Sequence, residues 1–343
     1  MAGGSGGGRR SGAMAEGCVL CGATGTEVVS RTDRHGQPLM TVLCSGCGVL
    51  RNDPVPTAEE LDRFYRKDYR ESYKGATEPR LRQVWRNLER LKVHFIEFRD
   101  IYARGGDWLD LGAGSGEFTF LARHLGAEMT AVEPHEGYAA YCREKLGLDV
   151  AGRTLEECDF PEGRFDLIRL SHVLEHMRDP VASLSVLRGW LRPGGVLYIE
   201  VPNIEAEARN RLQGRLFHYG HIYNYNPLTL RHVAARAGLV EMPETAARCA
   251  GRCAAFFTAD EGGLQADEAL IANAARMREV MRGHNSRRLP EPEEGTVLGR
   301  FLRSMTARLR EARAGQRMKT HRAIAEAAAA DLERSLKQVM GRG

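Results

Sequence analysis

The chain has 343 residues, 43% of them hydrophobic, and a formal net charge of +4, which leaves room for one large domain with a sizeable core plus a smaller module or two. No apolar run approaches the ~18–20 residues of a membrane span, and the N-terminus has no apolar signal core, so a cytoplasmic address is the expectation. The charge is uneven: from Arg300 onward 11 Lys and Arg face 4 Asp and Glu, a basic stretch that reads as a solvated helix before it reads as a contact for nucleic acid or an anionic surface.

The opening "MAGGSGGGRRSGAMAEG" is rich in glycine and serine, and residues 1–16 are expected to be a disordered leader or a scar of expression. Two C-x-x-C pairs follow, Cys18 with Cys21 and Cys44 with Cys47, each succeeded by a glycine, Gly22 or Gly48. Between them lie the strand-like runs "TEVVS" and "LMTVL". Two thiolate turns joined by a hairpin predict a four-sulfur zinc ribbon over 17–56, in which the metal contributes folding free energy. A redox dithiol would explain one such pair but not two. The other cysteines are scattered: Cys142 and Cys158 have no paired base, and Cys249 and Cys253 read as small core residues.

Residues 57–105 are expected to form a helical connector covering the active site. Thr57 with Glu60 three residues on is a capping box. Tyr65, Tyr69 and Tyr73 recur every four residues, and a long amphipathic helix over 78–102 carries Val84, Leu88, Leu91, Phe95 and Phe98 on one side. From 106 to 260 strands and helices alternate. Strands are predicted at 107–111, 128–132, 149–151, 165–170 and 195–201, and helices at 116–125, 136–146, 180–191 and 227–237. That alternation with near-continuous apolar strands means a parallel sheet covered on both faces. "LVEMPE" and "CAAFFTA" read as a closing hairpin at the sheet edge. A helical extension over 261–343 completes the chain, with helices at 264–283 and 296–340 around the linker "NSRRLPEPEEG". Its stripe Leu298, Phe301, Leu302, Met305 and Leu309 predicts packing on the domain or association of copies through these helices.

The stretch "WLDLGAGSGEF" poses the question of ligand. A dinucleotide fingerprint would need glycine where Glu117 stands, and an acid there would repel a pyrophosphate. Gly112, Gly114 and Gly116 instead line the crevice beyond the first parallel strand, where missing Cβ atoms let a ligand approach the backbone. Asp110 at the strand end can attract a cation, and Glu133 at the end of the next strand can grip two ribose hydroxyls. A cationic amino acid joined to a nucleoside describes S-adenosylmethionine.

In order and at suitable spacing, "LDLGAGSGEF", "AVEP", "FDLIRLSHVLEHMRDP" and "LRPGGVLYIEVPN" resemble the successive motifs of class I S-adenosylmethionine-dependent methyltransferases, over residues 107–258. The resemblance implies an α/β, Rossmann-like sheet of seven strands with the last antiparallel, here with a small N-terminal zinc ribbon and a C-terminal helical extension. By position it implies that Asp110, Gly112, Gly114 and Gly116 surround the methionine part, Glu133 the ribose, and Leu155 and Glu156 the adenine, with Ser171 and His172 beside the sulfonium. The ribbon, the "P-x-P" turn and the tyrosine-rich segment resemble those of bacterial sugar C-methyltransferases and related glycan- or natural-product-tailoring enzymes. Those carry a second, larger α/β domain at the C-terminus, whereas this chain has helices.

Methyl transfer to a hydroxyl or enol needs a positioned nucleophile and a proton acceptor. His172, His176 and His221 are the candidates. The resemblance to the sugar enzymes, which place a histidine at a matching "H-x-Y", favours His221 as base, with Tyr223 and Tyr225 orienting substrate. His176 is read as capping or packing at the start of a helix. The expected acceptor is a sugar, a glycan or another small metabolite, and nucleic acid is not an expected partner. The alternatives are an RNA or protein methyltransferase docking through ribbon and basic tail, or a non-catalytic scaffold of the same fold. The acceptor atom is not set by fold.

Overall fold

The computed structural model describes residues 17–64, 78–260, 264, 266–286 and 320–341. The leader, the stripe Tyr65, Tyr69 and Tyr73, and the stripe from Leu298 to Leu309 lie outside the described residues.

Strands β1 (Thr26–Thr32) and β2 (Pro38–Cys44) form the antiparallel hairpin between the two cysteine turns, and β3 (Leu50–Asn52) adds to β2. The capping box opens α1 (Ala58–Arg63): Glu60 N–H donates to Thr57 Oγ1 at 3.2 Å, and Thr57 N–H donates to Glu60 Oε2 at 2.8 Å. The predicted 78–102 helix is two pieces, α2 (Leu81–Glu97) and α3 (Arg99–Tyr102). The break falls at Phe98, whose φ of −110° and ψ of 30° leave the helical region while its ring packs on Phe256.

The core runs β4 (Asp107–Leu111), α4 (Glu117–His124), β5 (Glu128–Val132), α5 (Glu136–Tyr141), β6 (Val150–Ala151), β7 (Phe165–Ser171), α6 (Pro180–Trp190) and β8 (Leu191–Glu200). After it come α7 (Ile204–Asn210), β9 (Tyr223–Asn224), α8 (Pro227–Arg236), β10 (Leu239–Glu241), α9 (Pro243–Cys249) and β11 (Ala254–Ala259). The seven-stranded sheet has the order β10-β11-β8-β7-β4-β5-β6, with β11 antiparallel to both neighbours. This is the expected architecture. The closing pair is no tight hairpin, because α9 is inserted between its strands with Pro243 at its first position, where a missing N–H costs nothing. Since β4 lies between β5 and β7, the chain reverses direction of winding there, and a crevice opens at the carboxyl ends of these strands.

The second sheet is the departure from expectation. Its order is β1-β2-β3-β9, so a two-residue strand from the loop after α7 completes the ribbon, pairing Leu50 with Asn224 and Arg51 with Tyr223. The ribbon is fastened from two further sides. On α10 (Asp267–Ser286), Asn273 Nδ2 donates to the Cys47 carbonyl at 2.7 Å, and on α8 His232 Nε2 lies 2.8 Å from the Leu20 carbonyl. Gly48 is required here, since a Cβ would stand 2.9 Å from Ala274 Cα.

The final helix, α11 (His321–Met340), buries Ile324, Ala325, Ala328, Ala329 and Leu332 in one cluster with Val84 and Leu88 of α2 and Phe118 of α4. The apolar face of this helix packs within the chain, against α2 and α4. Burying each large aliphatic side chain there is worth about 1.5–3 kcal/mol. Among the described residues no helix is long and apolar enough to cross a membrane.

Candidate functional site

A cleft of about 1720 Å³ opens at the crevice, walled by the loops after β4, β5, β6 and β7 and by α2. Its floor is the glycine turn. Gly112, Gly114 and Gly116 take φ of 76°, 56° and 76°, left-handed values that other residues adopt at a cost. Two of them are also sterically fixed: a Cβ on Gly112 would lie 2.4 Å from Val173 Cγ2, and one on Gly116 would lie 2.8 Å from Cys142 Sγ. A Cβ on Gly114 would meet nothing within 4 Å.

Glu133 is tied to this turn. Its Oε2 accepts from Gly114 N–H at 2.8 Å and its Oε1 from His135 N–H at 2.9 Å, while burial pushes its pKa up. Leu155 and Glu156 sit in a single turn of 3-10 helix on the far wall, and Ser171 and His172 at the end of β7; all four line the cleft. Ser171 Oγ donates to Glu200 Oε2 at 3.3 Å.

Four sequence-predicted residues are not placed as expected. Asp110 has no exposed surface and is not in the cleft wall. Its Oδ1 accepts from Arg169 at 2.8 Å and its Oδ2 from Thr119 Oγ1 at 2.8 Å, so its charge is neutralised beneath the floor rather than offered to a ligand. His221 lies behind His176 instead of lining the cleft, and burial drives its pKa down to about 3, making it a weak proton acceptor. Tyr223 belongs to β9, its hydroxyl donating to the Arg178 carbonyl at 3.4 Å and its pKa pushed up to about 12 by burial. Tyr225 is fully buried. Of the three candidate bases, His172 and His176 line the cleft, where His94 and His135 also contribute imidazoles.

His172 has a φ of 59° and a half-exposed side chain, with Nδ1 3.5 Å from Glu175 Oε1. Burial lowers its pKa, but the Glu175 and Glu200 carboxylates outweigh burial and hold it above its usual value. His176 stands in a 3-10 turn (Leu174–His176) rather than at the start of a helix, its Nδ1 2.6 Å from the Gly220 carbonyl.

The wall contains residues that sequence reasoning passes over. Arg169, in mid-strand β7, reaches under the cleft to Asp110, with its guanidinium 4.5 Å from the centre of the Phe118 ring. An arginine between Ile168 and Leu170, both buried, is the available signal. Glu200 ends β8, and Tyr198 O–H donates to it at 3.2 Å. Glu117 accepts from Ser115 Oγ and, at 3.0 Å, from Asn87 Nδ2 of α2, which locks the glycine turn to that helix. Arg90 and Gln83 of α2 also face the cleft.

The four ribbon sulfurs gather within 4.8 Å of one another, with Cys18 to Cys47 at 3.8 Å and Cys21 to Cys44 at 3.5 Å. Tetrahedral Zn–S bonds of about 2.3 Å require sulfurs roughly 3.8 Å apart. The donor set and spacing fit zinc.

Residues 84–241 match the family model described as "Methyltransferase domain". Two relatives are ubiquinone biosynthesis O-methyltransferases. That of Bradyrhizobium sp. (strain ORS 278) is 33% identical over 100 residues, covering 28% of this chain and 39% of the relative. That of Methylococcus capsulatus is 28% identical over 125 residues, covering 34% and 52%. The matched part thus spans about half or less of these relatives. Among solved structures, the chain is similar to the 1,6-didemethyltoxoflavin-N1-methyltransferase of Burkholderia thailandensis, at 20% identity and a TM-score of 0.41, over 64% of this chain and 96% of that one.

Proposed function

We propose that the class I S-adenosylmethionine-dependent methyltransferase domain carried by this chain methylates an oxygen of a small, hydroxyl-bearing acceptor, a sugar or glycan unit foremost. The observation that carries the reading is the tie between the left-handed glycine turn and Glu133 at the floor of the cleft. Gly112, Gly114 and Gly116 would lie along the methionine part of the cofactor, Glu133 would hold the ribose, and Leu155 and Glu156 would border the adenine. S-adenosylmethionine bound there supplies a methyl carbon already activated by sulfonium.

At the β7–β8 end the wall carries His172, His176, Arg178 and Asp179 beside Val173 and Met177, polar groups that can bind an acceptor with several hydroxyls. His172 would take the proton of the attacking hydroxyl, with the Glu175 carboxylate orienting its ring and supporting the positive charge it gains. The names of the ubiquinone biosynthesis relatives support oxygen as the acceptor atom. Zinc on Cys18, Cys21, Cys44 and Cys47 would hold the two cysteine turns together.

Calorimetric titration with S-adenosylhomocysteine, followed by transfer of labelled methyl groups to a panel of sugar and phenol acceptors, tests this reading. One bound nucleoside per chain, with affinity lost in Glu133→Ala, is the expected result. No binding by the folded protein overturns it. His172→Gln should lower the transfer rate by about 10²–10⁴ while leaving S-adenosylhomocysteine affinity unchanged.

A further inference from the structure

At the acceptor end of the cleft Glu175 sits in an unusual position. It is 1% exposed, and neither carboxylate oxygen accepts a hydrogen bond. A buried carboxylate without donors is costly, by about 1–3 kcal/mol or more for a charged group, so something at this place must compensate it. The nearest titratable partner, His172 Nδ1, is 3.5 Å away and belongs to a side chain half open to solvent.

Two further imidazoles converge on the same carboxylate. His176 Nε2 is 3.9 Å from Glu175 Oε1, and the rings of His176 and His221 meet edge-on at 5.1 Å between centres. The ligand atoms of Glu175, His176 and His221 all lie within 4.8 Å of one another. His176 has the orientation of a metal-binding histidine: its Nδ1 donates to the Gly220 carbonyl at 2.6 Å, and its Nε2 faces Glu175. The segment that brings His221 is itself held, since His221 N–H donates to the His218 carbonyl at 3.0 Å and the next residues pair with the ribbon as β9.

We infer that Glu175, His176 and His221 form a second metal site, distinct from the four-cysteine cluster, for one divalent first-row transition cation. Two imidazoles and one carboxylate select such an ion over magnesium or calcium, which prefer all-oxygen shells. Bringing the three donors to about 2.1 Å from a common ion takes under about 1 Å of movement at each. His176 lines the cleft, which puts the site beside the space where an acceptor would enter. This inference does not rest on methyl transfer, because occupancy is read without turnover.

The test uses the full chain as purified, with its metal content counted by native mass spectrometry before and after titration with Co²⁺. One added cobalt is expected, with weak visible bands typical of nitrogen and oxygen ligands and without the intense thiolate-to-cobalt absorption that exchange into the cysteine cluster would give. Glu175→Gln and His221→Gln, each checked for fold by circular dichroism, should bind this ion roughly tenfold or more weakly. The absence of an added ion overturns the proposal. So does an added ion whose affinity is unchanged in either folded variant.

Discussion

Among the glycines of the turn, two positions with the same backbone sign carry different burdens. A Cβ on Gly116 would press on Cys142 Sγ and Leu148 Cδ1, both at 2.8 Å, whereas one on Gly114 would meet open space. Gly116→Ala should therefore cost the left-handed penalty of about 1–2 kcal/mol plus about 1–3 kcal/mol of overpacking. Gly114→Ala should cost the backbone penalty alone, about 1–2 kcal/mol, with its greater effect on nucleoside binding. Urea unfolding beside calorimetric titration separates the two; equal destabilisation would contradict the assignment. The pair beneath the floor gives a second contrast. Arg169→Leu leaves Asp110 fully buried with one hydroxyl donor, so a loss of about 3–5 kcal/mol is expected. Adding Asp110→Asn should recover part of that loss, read as a coupling in a double-mutant cycle.

Elements with their own local signals are legible in the sequence. The Thr57–Glu60 box, the proline starts of α6 and α8, and the glycine turn after β4 are sequence-local, and each stands where its residues predict. What the sequence does not spell out is where side chains from different elements meet. Asp110 reads as a ligand-facing acid because sequence shows only the strand end; its partner Arg169 is 59 positions away on the next strand. His221 reads as a base through the resemblance to the sugar enzymes, whereas the packing of His176 beside it is a tertiary fact. A two-residue strand such as β9 has no periodicity to detect. At the same scale, α11 braces α2, with Lys92 Nζ 2.5 Å from Asp331 Oδ2 and His321 Nε2 2.8 Å from the Pro79 carbonyl. Since α2 brings Asn87 to Glu117 of the glycine turn, a chain ending at Thr320 should lose both melting temperature and S-adenosylhomocysteine affinity. Loss of stability with unchanged affinity would show that α11 supports the core without bearing on the cleft.

Taken as a whole, the molecule joins a cluster of sulfurs to a cleft through one short strand. The ribbon sheet contains β9, which closely follows His221, and Asn52 Nδ2 of the ribbon donates to the Tyr219 carbonyl at 2.9 Å. Ribbon and core are also joined by α8 and α10 through His232 and Asn273. A module this small has too little core to fold alone, and its metal would supply the missing free energy. Removing that metal should then free β3, and with it β9 and the stretch from His218 to Tyr225, rather than melt a separate unit. Calorimetry of the zinc-loaded chain is expected to show one cooperative transition that a chelator shifts down, and Cys44→Ser should reproduce the shift. Hydrogen exchange should increase at residues 217–225 as well as within the ribbon. Two transitions, with only the lower one responding to the chelator and no change in exchange at 217–225, would mean that the ribbon is an appended module and that the acceptor end of the cleft stands without it.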